Sequence, residues 1–140
     1  ESCAQWQRSL ALLSHMAQFH VEADVVTYSA AVSACEKGSQ WELALELMQR
    51  MRLSQVPPGT IAYSAAIAAC EKCRRWNWAV HLLEELCSSD LRPSAITYTS
   101  AMAACAAARE AWRALRLLGD MARNDVLPTL VTLERAVDAC

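Results

Sequence analysis

The chain has 140 residues, 54% hydrophobic and 20% charged, with 3 Gly, 4 Pro and a formal net charge of −2. That length carries one ordinary domain with a substantial core; the composition excludes a disordered chain, and no apolar run approaches the roughly 20 residues that span a bilayer. A compact nucleic-acid binder is usually basic overall, so the net charge argues against one unless cations gather on a single face.

The pattern starts in an amphipathic helix expected over about 3–20. Trp6, Ser9, Leu10, Leu13 and Met16 fall there at i, i+3, i+4, i+7 and i+10. A second helix is expected over about 26–37, packed with Ala30, Ala31 and Ala34, whose small side chains allow close helix approach. Gly38 is expected to end it, with Ser39 and Glu42 forming a capping box for the next helix. That helix, about 41–53, repeats the stripe as Trp41, Ala44, Leu45, Met48 and Met51, with Glu42, Glu46, Gln49 and Arg50 opposite. Glu46 and Arg50 stand four apart in the favourable order. Turns over 54–60 and 88–94 carry Pro, Ser, Gly or Asp.

Slid against itself by 35 residues, the chain then repeats without a gap. Val26, Ile61, Ile96 and Val131 align; so do Tyr28, Tyr63, Tyr98 and Leu133, and Cys35, Cys70, Cys105 and Cys140. Leu12, Leu47, Leu82 and Leu117 align, as do Pro58, Pro93 and Pro128, with Ala23 in the same place earlier. Trp6, Trp41 and Trp76 share one position and read as packing anchors, whereas Trp78 and Trp112 leave that register and are expected to be exposed. Such a period marks stacked helix pairs, none of which buries its apolar face alone. The expected fold is all-α: eight antiparallel helices in a solenoid, one array over 1–140. Its units are 26–60, 61–95 and 96–130, with partial units 1–25 and 131–140. Glu1 at the start, the absence of a signal stretch or leader, and the lack of a polar capping helix at either end read as a segment of a longer array.

One face of each first helix forms a row: Val26, Ser29, Ser33, Lys37; then Ile61, Ser64, Ala68, Lys72; then Ile96, Thr99, Ala103, Ala107. Hydroxyls can bond base edges, aliphatic groups can flank a flat base, and lysines can meet phosphates. A plain packing stripe with a solvated Lys at its end fits the same spacing.

Other motifs carry less. Cys70 and Cys73 form a lone CxxC on one helix, without a second pair at zinc-ligand spacing. Cys3 and Cys87 complete the seven cysteines; because four of the seven recur at one repeat position, they read as reduced core residues rather than a disulfide framework. His15, His20 and His81 have no repeated acidic or Cys partner, and no Ser–His–Asp or Cys–His arrangement can be read, so catalysis is unsupported. Arg74, Arg75, Arg109 and Arg113 cluster near the turns, as a solvated rim or as an attraction for phosphate.

The runs VVTYSAAVSACEKGSQWELALELMQRM, IAYSAAIAACEKCRRWNWAVHLLEEL and ITYTSAMAACAAAREAWRALRLLGDM resemble pentatricopeptide repeats. That family shows a V-T-Y-N start, a C/A-K-x-G middle, an A-L-x-L second helix and a late Pro. Tetratricopeptide repeats differ, with a period of about 34 and a Gly within the first helix. The resemblance implies a right-handed solenoid that binds single-stranded RNA, about one base per repeat, in chloroplasts or mitochondria, with no cofactor, enzymatic activity, membrane or small-molecule substrate.

Carried over, the resemblance makes Ser29 with Gly59, Ser64 with Ser94, and Thr99 with Thr129 the base-selecting pairs. Val26, Ile61 and Ile96 would sandwich the bases, and Lys37 and Lys72 would contact phosphates. The family usually has Asp or Asn at the last position; here only Asp24 of the partial first unit fits, and Ala107 replaces the third Lys. Glu134 and Asp138 place acid on the fourth stripe. The alternative is a protein-binding scaffold with degenerate selecting positions.

Overall fold

A computed structural model describes residues 2–18 and 25–139, with side chains of the first helix described over 6–16. Among the described residues there are eight α-helices and no strand: α1 (Ser2–Gln18), α2 (Val25–Lys37), α3 (Trp41–Leu53), α4 (Thr60–Lys72), α5 (Trp76–Ser88), α6 (Ala95–Ala107), α7 (Ala111–Arg123) and α8 (Leu130–Ala139). Helices α3, α5 and α7 start at residues 41, 76 and 111, and α4, α6 and α8 at 60, 95 and 130, each step being the 35 residues of the sequence repeat. The expected first helix over 3–20 ends at Gln18, and its last two residues, His20 among them, lie outside the described residues. So do Ala23, Asp24 and Cys140, and the side chain of Cys3.

The helices form two layers. Helices α2, α4, α6 and α8 pack in a continuous row, each against the next. Helices α3, α5 and α7 each touch the first helices on either side but not one another. Alanine explains the close inner row: Ala31, Ala34, Ala62, Ala66, Ala69, Ala101 and Ala104 are buried there. The outer helices contribute larger core groups, including Leu47, Met48, Met51, Leu83, Leu86 and Met121. Burying a side chain of that size contributes about 1.5–3 kcal/mol. Leu47, Leu82 and Leu117 are buried as the repeat demands, but Leu12 is 56% exposed. Helix α1 packs on α2 alone, so it lacks half of the surroundings of the later outer helices.

The tyrosines hold the layers in register. Tyr63 and Tyr98 are buried and Tyr28 half-buried. The Tyr98 hydroxyl accepts from Asn124 Nδ2 at 2.9 Å and lies 3.4 Å from Cys87 Sγ. The Tyr63 hydroxyl donates to Glu85 at 3.5 Å, and Glu85 also pairs with Arg52 and His81. Cys35, Cys70 and Cys105 are fully buried free thiols between the layers, as their repeat position requires.

The turns correct one expectation. Ser39 does not cap α3: it has φ 54°, while Gln40 is the N-cap and makes no side-chain cap bond. The reason is how α2 ends. The Ser39 N–H donates to Glu36 O at 3.1 Å and the Gln40 N–H to Cys35 O at 2.8 Å, the paired bonds of a Schellman close. This close requires a left-handed residue, and Ser39 occupies that position, so its hydroxyl is turned away from the α3 amides. Arg74 and Arg109 do the same after α4 and α6, with φ 56° and 59°. Gly38 therefore follows the last helical residue without supplying positive φ. It is small for another reason: a Cβ there would meet Cδ1 of the Trp6 ring and lie 2.8 Å from its Nε1.

Candidate nucleic-acid interface

The row of first helices leaves one set of apolar side chains in water. Val26, Ile61 and Ile96 are 74%, 68% and 76% exposed, although the helices that carry them are lined with buried alanine. Each lies in the first turn of its helix, three residues before the expected selecting position, which places both on one face.

The selecting hydroxyls are more engaged than the sequence implied. Ser29 is only 7% exposed. Ser64 Oγ lies 3.2 Å from Oγ1 of Thr97, in the next first helix, and Ser94 Oγ lies 3.1 Å from that same atom. One unit later, Thr99 Oγ1 and Thr129 Oγ1 each lie 2.9 Å from Thr132 Oγ1. Thus the two expected selecting residues of a unit converge on one hydroxyl of the following unit. Thr97 and Thr132 are 1% and 0% exposed, so both need hydrogen-bond partners. In the unit 26–60 the position of Thr97 and Thr132 is held by Ala62 and the last residue is Gly59, so the bridge is absent. Sequence reasoning missed Thr97 and Thr132; their recurrence 35 residues apart was the available signal.

The last residue of a unit has a second task. Ser94 is the N-cap of α6, its Oγ accepting from the Thr97 N–H at 3.4 Å. Thr129 precedes α8 and accepts from the Thr132 N–H at 3.2 Å. Gly59 is the N-cap of α4 without a side chain to offer. Selection and capping therefore share one side chain.

The two lysines differ. Lys37 closes α2 and is exposed, with no resolved ion pair among the described residues. Lys72 closes α4, but its Nζ sits 2.5 Å from Glu36 Oε1 of the previous unit. Beyond the helix ends, Arg75 lies over the Trp41 ring at 5.0 Å, and Arg113 over Trp76 and Trp112 at 4.7 Å each. Two members of the arginine cluster are thus stacked on aromatic faces, an arrangement that keeps their charge. Trp78 and Trp112 are 41% and 56% exposed, as their departure from the repeat register implied. On α8, exposed Glu134 and the Arg135–Asp138 pair at 3.6 Å end the row of neutral stripes.

The thiols show no sign of activation. Burial pushes Cys35 and Cys105 up to about 11 and Cys70 to about 12. A nucleophilic or metal-binding thiol needs the opposite shift. The Cys73 thiol, half-exposed, donates to the Ser39 carbonyl at 3.3 Å rather than facing Cys70 as a second ligand.

A family profile described as pentatricopeptide repeat domain matches residues 11–72 and 81–140, and one described as PPR repeat matches residues 61–91. Comparison with curated proteins returns no match. Among solved structures, the pentatricopeptide-repeat domain of Arabidopsis thaliana protein-only RNase P 1, in complex with tRNA, is similar with a TM-score of 0.86. It is 13% identical over 96% of this chain and 71% of that one. The pentatricopeptide repeat protein PPR10 in complex with an 18-nt psaJ RNA element is similar with a TM-score of 0.78 and 27% identity, over 96% of this chain. PPR10 from maize gives a TM-score of 0.73 at the same identity. This chain spans about a fifth of the PPR10 chain, 20% in the RNA complex.

Proposed function

The chain belongs to the pentatricopeptide-repeat family, and from that premise we propose that residues 1–140 form one repeat array that binds single-stranded RNA along its first-helix row, without catalysis of its own. The observation that carries the reading is the exposure of Val26, Ile61 and Ile96 in three successive units. A β-branched aliphatic side chain left in water at one repeat position is of no use to the core, but it is the right shape to flank a flat base. The RNA complex of PPR10, 27% identical, supports the same choice. In this reading Ser29 with Gly59, Ser64 with Ser94, and Thr99 with Thr129 face the bases, and Lys37 and Lys72 face phosphates. The compartment is a chloroplast or mitochondrion.

Replacing Val26, Ile61 and Ile96 together with Ser tests it. Binding of short single-stranded RNA at low salt should fall at least tenfold, while the thermal melt stays near that of the parent, since the three side chains lie outside the core. Unchanged affinity would sink the proposal.

A protein-binding scaffold is the second reading. It is favoured by the pairing of Lys72 with Glu36 and by an open groove of about 330 Å³ between α3 and α5, lined by Trp41, Trp78, His81 and Glu85 among others. A chain that binds no RNA even at low salt would support it.

A further inference from the structure

We propose that Thr132 is a positioning residue for the unit before its own: it holds Thr99 and Thr129 as hydrogen-bond acceptors, so that this unit selects a base with two adjacent N–H donors, the Watson–Crick edge of guanine. The proposal rests on the RNA-binding reading above.

The argument follows three protons. Thr99 Oγ1 lies 2.7 Å from the Ala95 carbonyl oxygen. A carbonyl can only accept, so the single hydroxyl proton of Thr99 is committed there. In the 2.9 Å contact between Thr99 and Thr132, Thr132 must therefore donate. That uses its own single proton, so in the equal contact with Thr129 it is Thr129 that donates. The Thr129 N–H also donates to Thr132 Oγ1 at 3.3 Å. Thr132, fully buried, is then saturated with one bond given and two received.

What remains outside is one-sided. Thr99 has given its proton to Ala95 and received one from Thr132. Thr129 has given its proton to Thr132 Oγ1 and received the Thr132 N–H. Each keeps one lone pair and no proton. Both oxygens lie 2.9 Å from one atom, so they can meet neighbouring donors on a single base. Thr129 is exposed, Thr99 half-exposed, and Ile96 stands on the same helix face as Thr99. Guanine offers N1–H and the 2-amino group side by side. Adenine and cytosine put a ring acceptor beside their amino group, and uracil flanks its one N–H with two carbonyls; each would set lone pair against lone pair.

The direction is special to this unit. Ser64 and Ser94 converge on Thr97 in the same way, but no carbonyl accepts the Ser64 proton among the described hydrogen bonds, so that chain can run in either sense. The unit 26–60 has Ala62 at the bridging position.

The test uses the 140-residue chain and short oligoribonucleotides in which one base is flanked by abasic ribose-phosphates. Binding is followed by NMR shifts at Thr99 and Thr129, which register millimolar affinities. Guanine should bind tightest, with inosine, lacking the 2-amino group, several-fold weaker and uracil at least tenfold weaker, the usual discrimination of a bidentate pair. Thr132→Val should free the Thr129 proton and collapse the guanine-to-uracil ratio; Thr132→Ser should restore it. If Thr132→Val fails to fold, Thr129→Val removes one acceptor and should bring guanine down to the level of inosine. An unaltered ranking in these variants, or a wild-type preference for uracil, overturns the role of Thr132 while RNA binding stands. No shift with any oligonucleotide at low salt overturns RNA binding, and this assignment with it.

Discussion

Lys72 reaches back one repeat to Glu36, its Nζ 2.5 Å from Oε1 and 3.4 Å from the main-chain carbonyl oxygen of the same residue. The Lys and Glu side chains are 43% and 22% exposed, so the pair is partly screened and contributes at most about 1 kcal/mol to stability. Its consequence is for binding: one of the two lysines of the stripe is neutralised in the free protein, whereas Lys37 is not.

Lys37→Glu should therefore weaken RNA binding more than Lys72→Glu, and Glu36→Gln should strengthen it by freeing Lys72. The double change of Lys37 and Lys72 to Glu should abolish binding while moving the melt little. Titrations at two salt concentrations check this, because each lost phosphate contact lowers the salt dependence by close to one unit of slope. Affinity that is insensitive to all three residues would remove the stripe as the phosphate-contacting surface.

Gly38→Ala should destabilise the chain by about 1–3 kcal/mol, the cost of overpacking. The backbone at Gly38 is not in the left-handed region, so replacing Gly there would otherwise stabilise by reducing the freedom of the unfolded chain. The added Cβ meets the Trp6 ring instead. The sign should reverse in a Trp6→Ala background, and a double-mutant cycle by denaturant unfolding reads the coupling. Equal effects in both backgrounds would show that Trp6 is not the obstacle.

Stability should fall as pH rises above about 9. The thiols of Cys35, Cys70 and Cys105 ionise near 9 in the unfolded chain but are held up at about 11, 12 and 11 by burial. Between those values the unfolded state has lost protons that the folded state keeps, so alkali favours unfolding, at up to about 1.4 kcal/mol per pH unit for each thiol. The stabilisation is complete below pH 9 and is lost as pH passes through the folded values. Changing one of these cysteines to Ala should cost about 1 kcal/mol at neutral pH through the cavity left behind, and should flatten the alkaline slope. Melts from pH 7 to 11 decide it; a slope unchanged in the Ala variants would rule the thiols out as its source.

The helix pairs were legible because the fold is a sum of near-identical local units. Trp41 and Trp76 open α3 and α5, and Pro58, Pro93 and Pro128 lie in the turns, so composition alone marks where each helix starts and stops. The closing turns were not legible. Ser39 and Glu42 have the spacing of a capping box, but the Schellman close of α2 takes Ser39 first and leaves its hydroxyl unable to reach the α3 amides. Nor did the sequence separate Lys37 from Lys72, since the charge that distinguishes them, Glu36, belongs to one unit and acts on the next.

The sequence by itself determined the period, the eight helices, the burial of Cys35, Cys70 and Cys105, and the exposed row of Val26, Ile61 and Ile96. Those properties follow from side-chain spacing along one helix, which a linear pattern records. Only the tertiary structure decided what the hydroxyls do. Thr99, Thr129 and Thr132 come from two helices and a turn, and the direction of their hydrogen bonds is imposed by the Ala95 carbonyl one turn below Thr99. Stacking brings residues 33 positions apart within 2.9 Å of each other. A hydroxyl that is ambivalent in the sequence becomes an acceptor because its neighbours have taken its one proton.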